Sequence, residues 1–250
     1  MDAKSKQSGI PNDPLLVLPG LICDSRTFAA QLAAFEHAIP AADYGLAATI
    51  GAMAERVLAS APAHFSLLGH SMGARVALEI VRHAPERVLR LALVSTGVHL
   101  PTPEEPSKRH FLRDLGRAEG MTALVDAWLP PMVAPSRRND PSFLAPLRGM
   151  CIDAGLPRFE AQIAALLGRP EVESLLPQLS CPVLVAVGEE DRWSPPAQHA
   201  AMAARIPGAR LVVVEGAGHM LPVEAPGALN DAIADWLARP ARSETMPPQQ

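Results

Sequence analysis

The sequence of this 250-residue chain predicts an α/β fold, a mostly parallel β-sheet with helices on both faces. Short apolar runs alternate with amphipathic stretches through residues 14–94 and again through residues 182–237. Between these regions, from His99 to about Gln178, the pattern is helical and contains no convincing strand. The sequence therefore predicts one sheet domain with an inserted helical cap.

The elements of the sheet domain follow from local patterns. Residues 14–18 are typical of a buried parallel strand that ends at the turn Pro19-Gly20, and Asp24 or Ser25 is suited to cap the next helix. Further strands are expected at residues 38–42, 65–68, 91–94, 182–187 and 209–214, the last two as buried strands. Helices are expected at residues 46–59, 74–83, 198–205 and 226–237.

Pro101, Pro103 and Pro106 interrupt the alternation of strands and helices and mark the start of the cap. Helices are expected at residues 108–117, 121–129 and 159–167, with a Pro-rich connection through Pro146. We therefore predict a core domain of residues 10–98 and 179–238, a cap of residues 99–178 that covers the active site, and a disordered tail of residues 239–250.

Composition excludes several classes of function. The net charge of −4 gives no indication of nucleic-acid binding, and the longest apolar runs are much shorter than a membrane span. Residues 1–8 are polar and lack the apolar region of a secretory signal, so we expect a cytoplasmic protein. Cys23, Cys151 and Cys181 have no metal-ligand spacing and are expected to be free thiols with packing roles. No cofactor is expected.

The most informative segment is Gly69-His70-Ser71-Met72-Gly73, which lies between an apolar strand pattern and an amphipathic helix pattern. A strand, a sharp turn carrying a serine and a helix are typical of a nucleophile elbow. Small residues two positions before and after the serine allow the strand and the helix to approach closely. Ser71 is therefore the predicted nucleophile.

A serine nucleophile needs a general base, and the base needs a carboxylate to orient it. His219 follows the strand pattern of residues 211–214 on the glycine-rich loop Gly216-Ala217-Gly218, at the strand edge where catalytic groups gather. We predict His219 as the base. His70 neighbours the serine but leaves the extended segment in another direction, so we expect it to shape the elbow.

The carboxylate is expected on the loop after the preceding strand. Asp191 is the predicted acid, and Glu189 and Glu190 on the same loop are competitors that we interpret as solvated carboxylates. Two backbone N–H groups are expected to form the oxyanion hole, that of Met72 at the start of its helix and that of Leu21 after the first strand.

With these motifs the chain resembles the α/β-hydrolase fold superfamily across nearly all of residues 14–237. In that family G-x-S-x-G carries the nucleophile, a G-x-x-D-x-x-x-P-like segment the acid and G-x-G-H the base, which implies Ser71, Asp191 and His219 here. Many relatives have His-Gly where this chain has Pro19-Gly20. The resemblance implies that the first strand is what would be the third of the family's usual eight, so we expect a shortened sheet that lacks the leading hairpin.

Ester hydrolysis through an acyl-enzyme, on a small or medium apolar acyl substrate, is the expected reaction. The cap offers large apolar residues for the acyl pocket, most of which are expected to be core: Phe111, Leu115, Trp128, Leu129, Met132, Phe143, Met150 and Phe159. Trp128 and Met132, together with Trp193 outside the cap, are the candidate substrate contacts.

Alternatives remain open at this point. Arg109, Arg113 and Arg117 share one helix face, either solvated or a docking site for an anionic group or an acidic carrier protein, as in relatives similar to pimeloyl-carrier-protein methyl ester esterases. A carbon–carbon bond hydrolase of the meta-cleavage-product type would use the same triad. A cofactor-free perhydrolase and a catalytically silent binding module are further alternatives.

Overall fold

The computed structural model describes residues 12–241, which contain a single six-stranded sheet. Its strands are β1 (Leu15–Leu18), β2 (Ala38–Pro40), β3 (Phe65–His70), β4 (Val88–Val94), β5 (Val183–Gly188) and β6 (Arg210–Val214). They lie in the order β2-β1-β3-β4-β5-β6, and every neighbouring pair is parallel. The predicted parallel sheet is confirmed, and the carboxyl ends of all six strands share one edge.

The helices of the described residues are α1 (Ala29–Ala34), α2 (Ile50–Ser60), α3 (Met72–His83), α4 (Glu105–Glu119), α5 (Met121–Trp128), α6 (Pro141–Ala154), α7 (Leu156–Leu167), α8 (Pro196–Ala204), α9 (Leu221–Glu224) and α10 (Pro226–Leu237). Short 3-10 segments occur at Ser25–Phe28, Pro85–Arg87, Pro130–Met132, Pro135–Arg137 and Glu173–Gln178. Asp24 caps the first of these segments, because its side chain accepts from the Arg26 N–H.

Both faces of the sheet are buried. Leu16 and Leu18 of β1 enter one core with α2 and α3, whereas Leu15 and Val17 enter the opposite core with α10. Successive side chains of a strand point to opposite faces, so a strand that is apolar at every position requires helices on both sides. The indole of Trp236 on α10 is fully buried and donates to the Pro182 carbonyl at 3.0 Å.

Two elements of the sheet domain differ from the prediction. Strand β6 is an edge strand that pairs only with β5, and Leu211 and Val213 are 37% and 46% exposed instead of buried. Helix α2 begins at Ile50, four residues later than predicted, because the Thr49 side chain accepts from the Ala52 N–H and caps the helix there.

Helices α4 to α7 lie between β4 and β5 in the chain, where the sequence predicts the cap. The expected Pro-rich connection through Pro146 is wrong, because α6 already begins at Pro141. Pro141 occupies the first helical position, which needs no N–H donor, and Asp140 caps the helix through the N–H groups of Ser142 and Phe143. Proline content alone therefore misplaces the start of this helix.

The ends of the chain are only partly described. Of the predicted core domain, residues 10 and 11 lie outside the described residues, and so do residues 242–250 of the predicted tail. The prediction of disorder is wrong for Arg239, whose carbonyl accepts from the buried Arg90 guanidinium at 3.1 and 3.2 Å. Within residues 12–241, no helix is both long enough and apolar enough to span a bilayer.

Candidate active site

Ser71 lies at the junction of β3 and α3 with a strained backbone, φ 54° and ψ −117°. A non-glycine residue in this region is strained and persists only where the surrounding packing holds it there. A Cβ on Gly73 would lie 2.0 Å from the Leu18 carbonyl oxygen, and a Cβ on Gly69 would lie 2.5 Å from the Cα of Ala74. The elbow geometry predicted from the two glycines is therefore present.

The structure brings together the three residues predicted for catalysis. The Nε2 atom of His219 lies 2.9 Å from the Ser71 Oγ atom, and its Nδ1 atom lies 2.8 Å from the Asp191 Oδ2 atom. In this arrangement the Nδ1–H group donates to the carboxylate, and Nε2 accepts from the serine hydroxyl. The imidazole is thus oriented to take the Ser71 proton.

The Asp191 carboxylate is buried and accepts hydrogen bonds from several donors. Its Oδ1 atom accepts from the N–H groups of Trp193 and Ser194, and its Oδ2 atom from the Ser194 hydroxyl as well as from His219. Burial alone would raise the pKa of Asp191, but the adjacent His219 and these hydrogen bonds outweigh it and lower the pKa. Asp191, and neither Glu189 nor Glu190, lies at hydrogen-bonding distance from His219.

His70 contacts the base through the backbone. Burial lowers the pKa of His70 to about 3, so its imidazole is neutral, and its Nε2–H group donates to the His219 carbonyl at 2.8 Å. The two rings are 5.3 Å apart, centroid to centroid. His70 thus positions the loop that carries the base, in addition to forming part of the elbow.

Glu224 organises the same loop, a role that sequence reasoning missed. One carboxylate oxygen accepts from the N–H groups of Ala134 and Gly218, at 2.7 and 3.1 Å, and the other from the Met220 N–H at 2.9 Å. Burial raises the pKa of Glu224. Because Ala134 belongs to the predicted cap, this carboxylate joins the cap to the His219 loop.

The two predicted oxyanion donors line the same cavity as Ser71. Met72 is the first residue of α3, where backbone N–H groups have no partner inside the helix. Leu21 precedes Ile22, which has a left-handed φ of 49° and whose N–H donates to the buried Gln162 Oε1 atom at 2.7 Å. A cap residue therefore fixes the backbone next to Leu21, a contact that sequence reasoning missed.

A cavity of about 600 Å³ opens at Ser71 and His219. Trp128, Met132 and Trp193, the three candidate substrate contacts, all line it. Trp128 and Met132 are buried, whereas Trp193 is 43% exposed. Other apolar lining residues include Leu21, Met72, Leu166 and Met202. Phe111 is not among the lining residues and is exposed on the surface of α4, so the expectation that it packs in the cap is wrong.

The prediction that Arg109, Arg113 and Arg117 share one face of the helix is only partly correct. Arg109 is buried in the cavity wall, where it pairs with Glu105 at 2.7 Å, so a solvated role is wrong for this residue. Arg113 pairs with Asp114 and Arg117 with Glu160 on the outer surface. The docking of an acidic carrier protein stays a prediction.

The side chains of Cys23, Cys151 and Cys181 are buried, as expected for packing roles. A hydrogen bond with Cys23, together with burial, raises the pKa of Cys151. Within residues 12–241, no group of three or more histidine, cysteine or acidic side chains is arranged to hold a metal ion.

Comparison with known proteins assigns this chain to a family. The model of the alpha/beta hydrolase family matches residues 15–232. A putative carbamate hydrolase RutD from Klebsiella pneumoniae is 29% identical over 79% of this chain and 74% of its own length. A pimeloyl-[acyl-carrier protein] methyl ester esterase from Neisseria meningitidis is 27% identical over 68% of this chain and 67% of its own length.

Among solved structures, a thermophilic esterase from Thermogutta terrifontis, determined with malate bound, is similar with a TM-score of 0.81 and 31% sequence identity. The match covers 90% of this chain and 89% of the esterase. The chain therefore belongs to the alpha/beta hydrolase family, whose members act on ester or related bonds.

Proposed function

We propose that this protein cleaves carboxylic esters of small or medium acyl groups through a covalent acyl-enzyme on Ser71. The observation that carries the proposal is the 2.9 Å contact between the Ser71 Oγ and His219 Nε2 atoms, at the wall of a cavity. The contact of His219 with Asp191 fixes the tautomer that this reaction needs.

In the first half-reaction, Ser71 Oγ attacks the ester carbonyl carbon while His219 Nε2 takes the hydroxyl proton. The N–H groups of Met72 and Leu21 donate to the oxyanion that forms. When the oxyanion collapses, the bond to the alcohol breaks and His219 returns the proton to the leaving oxygen. Water then attacks the acyl-enzyme by the same route and releases the acid and free Ser71.

The apolar side chains of the cavity favour an apolar acyl chain. Trp128, Met132 and Leu166 present carbon surface near the nucleophile, and each methylene group transferred from water to such a surface contributes about 0.8 kcal/mol to binding. Trp193, at the exposed side of the cavity, is the third proposed contact.

The names of relatives define the competing bond types. One relative is called a putative carbamate hydrolase, another a methyl ester esterase acting on an acyl-carrier protein, and a third a 2-hydroxy-6-oxononadienedioate hydrolase. A substrate panel for this protein therefore needs an alkyl carbamate, a carrier-linked methyl ester and a vinylogous diketone besides simple esters.

The test is an ester panel graded in acyl length and leaving-group size, run on the wild type and on Ser71→Ala. Ser60→Ala is the matched control, because Ser60 is an exposed serine at the end of α2. We expect turnover that disappears in Ser71→Ala and persists in Ser60→Ala. Turnover of the diketone with no Ser71-dependent ester hydrolysis would contradict the proposal.

A further inference from the structure

The cavity beside Ser71 is much more basic than the chain as a whole. Six cationic residues line it: Arg75, Lys108, Arg109, Arg169, Arg192 and Arg205. Two carboxylates, those of Glu105 and Glu173, accompany them, although the chain has a net charge of −4. A cleft lined by one sign of charge concentrates ligands of the opposite sign. The pocket that the sequence predicts from its apolar residues therefore also has a strongly cationic wall.

Three of these arginines are almost completely buried: Arg75, Arg109 and Arg169 are 5%, 6% and 5% exposed. Glu105 is the acidic group between two of them. Arg169 binds it in a bidentate manner, with two N–O distances of 2.7 Å, and Arg109 donates twice to its Oε1 atom, at 2.9 and 2.7 Å. Two buried cations thus share one carboxylate and the third, Arg75, does not contact it, which leaves an excess of positive charge.

Arg75 accounts for most of this excess. Among the residues that the structure describes, its side chain has no carboxylate at ion-pair distance and donates instead to the carbonyls of Val98 and His99, at 3.5 and 2.6 Å. Burial and the nearby Arg169 charge lower the pKa of Arg75 to about 9. A buried guanidinium without an anion is costly, and binding a carboxylate offsets that cost.

Arg75 is also close to the reacting group along the chain. It lies four residues after Ser71, at the start of α3, which corresponds to a rise of about 6 Å along the helix axis. The guanidinium of Arg109 lies 5.8 Å from the ring centroid of Trp193, which holds it on the cavity side of α4.

We propose that Arg75, Arg109 and Arg169 form a subsite for a carboxylate carried by the substrate, so that the preferred esters are half-esters of short dicarboxylic acids. This inference rests on the proposed ester hydrolysis at Ser71. The ester carbonyl lies at Ser71, the methylene chain packs on the apolar wall, and the free carboxylate accepts hydrogen bonds from the buried guanidinium groups.

A purely structural role for the same arginines makes a different prediction. Arg75 and Arg169 both donate to the His99 carbonyl, and these contacts hold the connection from β4 to the cap. If that were their whole role, a charged ester would have no advantage over a neutral ester of the same shape. The substrate preference therefore separates the two roles.

The first measurement compares kcat/KM for the monoethyl esters of succinic, glutaric and adipic acid with ethyl esters in which an isopropyl group replaces the free carboxylate. We expect the wild type to prefer at least one half-ester by about tenfold or more. A second arm compares butyrate esters of glycolate and of isobutanol, which place the carboxylate on the alcohol side. If esters are hydrolysed, a preference only in the second arm, or none in either, overturns the half-ester proposal.

Variants of the buried arginines test whether these residues cause the preference for half-esters. Arg109→Gln should reduce the ratio of the two kcat/KM values by at least about tenfold, and Arg75→Lys, which keeps the charge but loses the bidentate fork, should reduce it less. The control is Arg113→Gln, because Arg113 lies on the same helix but pairs with Asp114 and does not line the cavity, so the ratio should stay unchanged. An unchanged ratio in Arg109→Gln and Arg75→Lys would overturn the assignment.

Binding without turnover separates this inference from the proposed function. In Ser71→Ala, monoethyl glutarate should raise the melting temperature, and its isopropyl isostere should raise it less. In the double variant Ser71→Ala/Arg109→Gln, the two ligands should raise the melting temperature equally. If no ester is hydrolysed but this difference is seen, the subsite stands and the proposed reaction fails. If Ser71-dependent hydrolysis occurs and neither a preference nor a binding difference is seen, the subsite fails alone.

Discussion

At the scale of single residues, the proposed reaction depends on the backbone conformation of Ser71 and on the hydrogen bonds of His219. Ser71 has a φ of 54°, and its hydroxyl lies at the cavity. There the His219 Nε2 atom accepts a hydrogen bond from the Ser71 hydroxyl, with 2.9 Å between Nε2 and Oγ. Asp191 stays ionised because its donors lower its pKa, so an imidazolium formed in the proposed reaction would have a negative partner. The proposed reaction requires these three side chains to act as a unit.

Asp191→Asn tests the role of the acid. An asparagine amide in this position donates to His219 Nδ1 and leaves the proton on Nε2, where it opposes deprotonation of Ser71. We expect kcat for ester hydrolysis to fall by roughly three to four orders of magnitude with the fold intact. Glu189→Gln, an exposed carboxylate of the same loop, is the control. Equal losses in both variants would show that Asp191 has no special role.

At the scale of elements, the approach of α3 to the sheet sets the position of the nucleophile. Gly73 of α3 lies against the end of β1, so Gly73→Ala would place a methyl group 2.0 Å from the Leu18 carbonyl oxygen. We expect the free energy of unfolding, measured in urea, to fall by more than about 3 kcal/mol.

The control for this variant is Gly51→Ala in α2, where nothing lies within 4 Å of the added Cβ. Alanine is the better helix former, so this change should raise the free energy of unfolding by about 0.5 to 1 kcal/mol. Tolerance of Gly73→Ala would mean that the strand and the helix of the elbow are less closely packed than described.

The cap acts on the core through helix α7. Gln162→Met removes the acceptor of the Ile22 N–H and frees the backbone that presents the Leu21 donor. We expect kcat to fall by about tenfold to a hundredfold, because a displaced oxyanion donor weakens transition-state binding more than substrate binding. Gln178→Met, an exposed glutamine, should have no effect on kcat. A rise in KM with kcat unchanged would instead place Gln162 in substrate binding.

The sequence predicted the triad because each member lies in a short local motif at the end of a strand. Ser71, Asp191 and His219 are each recognisable from fewer than ten neighbouring residues, and the parallel sheet brings strand ends to one edge. Gln162 and Ile22 are 140 residues apart, and neither has a local pattern that indicates the contact. The same reasoning explains why Glu224 and Arg75 were not foreseen, since their partners come from other elements.

At the scale of the whole molecule, buried ion pairs and hydrogen bonds of charged side chains connect the cap helices to the core. Glu105 of α4 pairs both with Arg109 of the same helix and with Arg169, which follows α7, and Arg75 of α3 lies near them. Helical spacing placed Arg109 on a surface with Arg113, but only packing of the cap over the sheet determines which side of α4 is buried. The cap therefore brings charge to the cavity as well as apolar surface.

Glu105→Gln tests this network. Burial alone would raise the pKa of Glu105, but hydrogen bonds and charge from Arg169 and Arg109 lower it from the ordinary 4.5 to about 2. Its contribution to stability is therefore complete above pH 4.5 and is lost as the pH falls towards 2. At neutral pH, Glu105→Gln should lower the free energy of unfolding by about 3 kcal/mol.

The matched control is Glu104→Gln, an exposed carboxylate one residue earlier. In urea unfolding followed across pH, the difference between the wild type and Glu105→Gln should shrink as the pH falls below 4.5, and Glu104→Gln should follow the wild type throughout. A difference independent of pH would mean that Glu105 is not ionised in the folded protein.

The most direct test of the central claim is the mass of the protein during turnover. A chromogenic ester is mixed with the enzyme, the reaction is quenched in acid within the steady state, and the protein is digested and analysed by mass spectrometry. We predict an acyl group on the peptide that contains Ser71, formed with an initial burst of the alcohol product. Ester turnover with no adduct on Ser71, or with the adduct on another residue, would contradict the account.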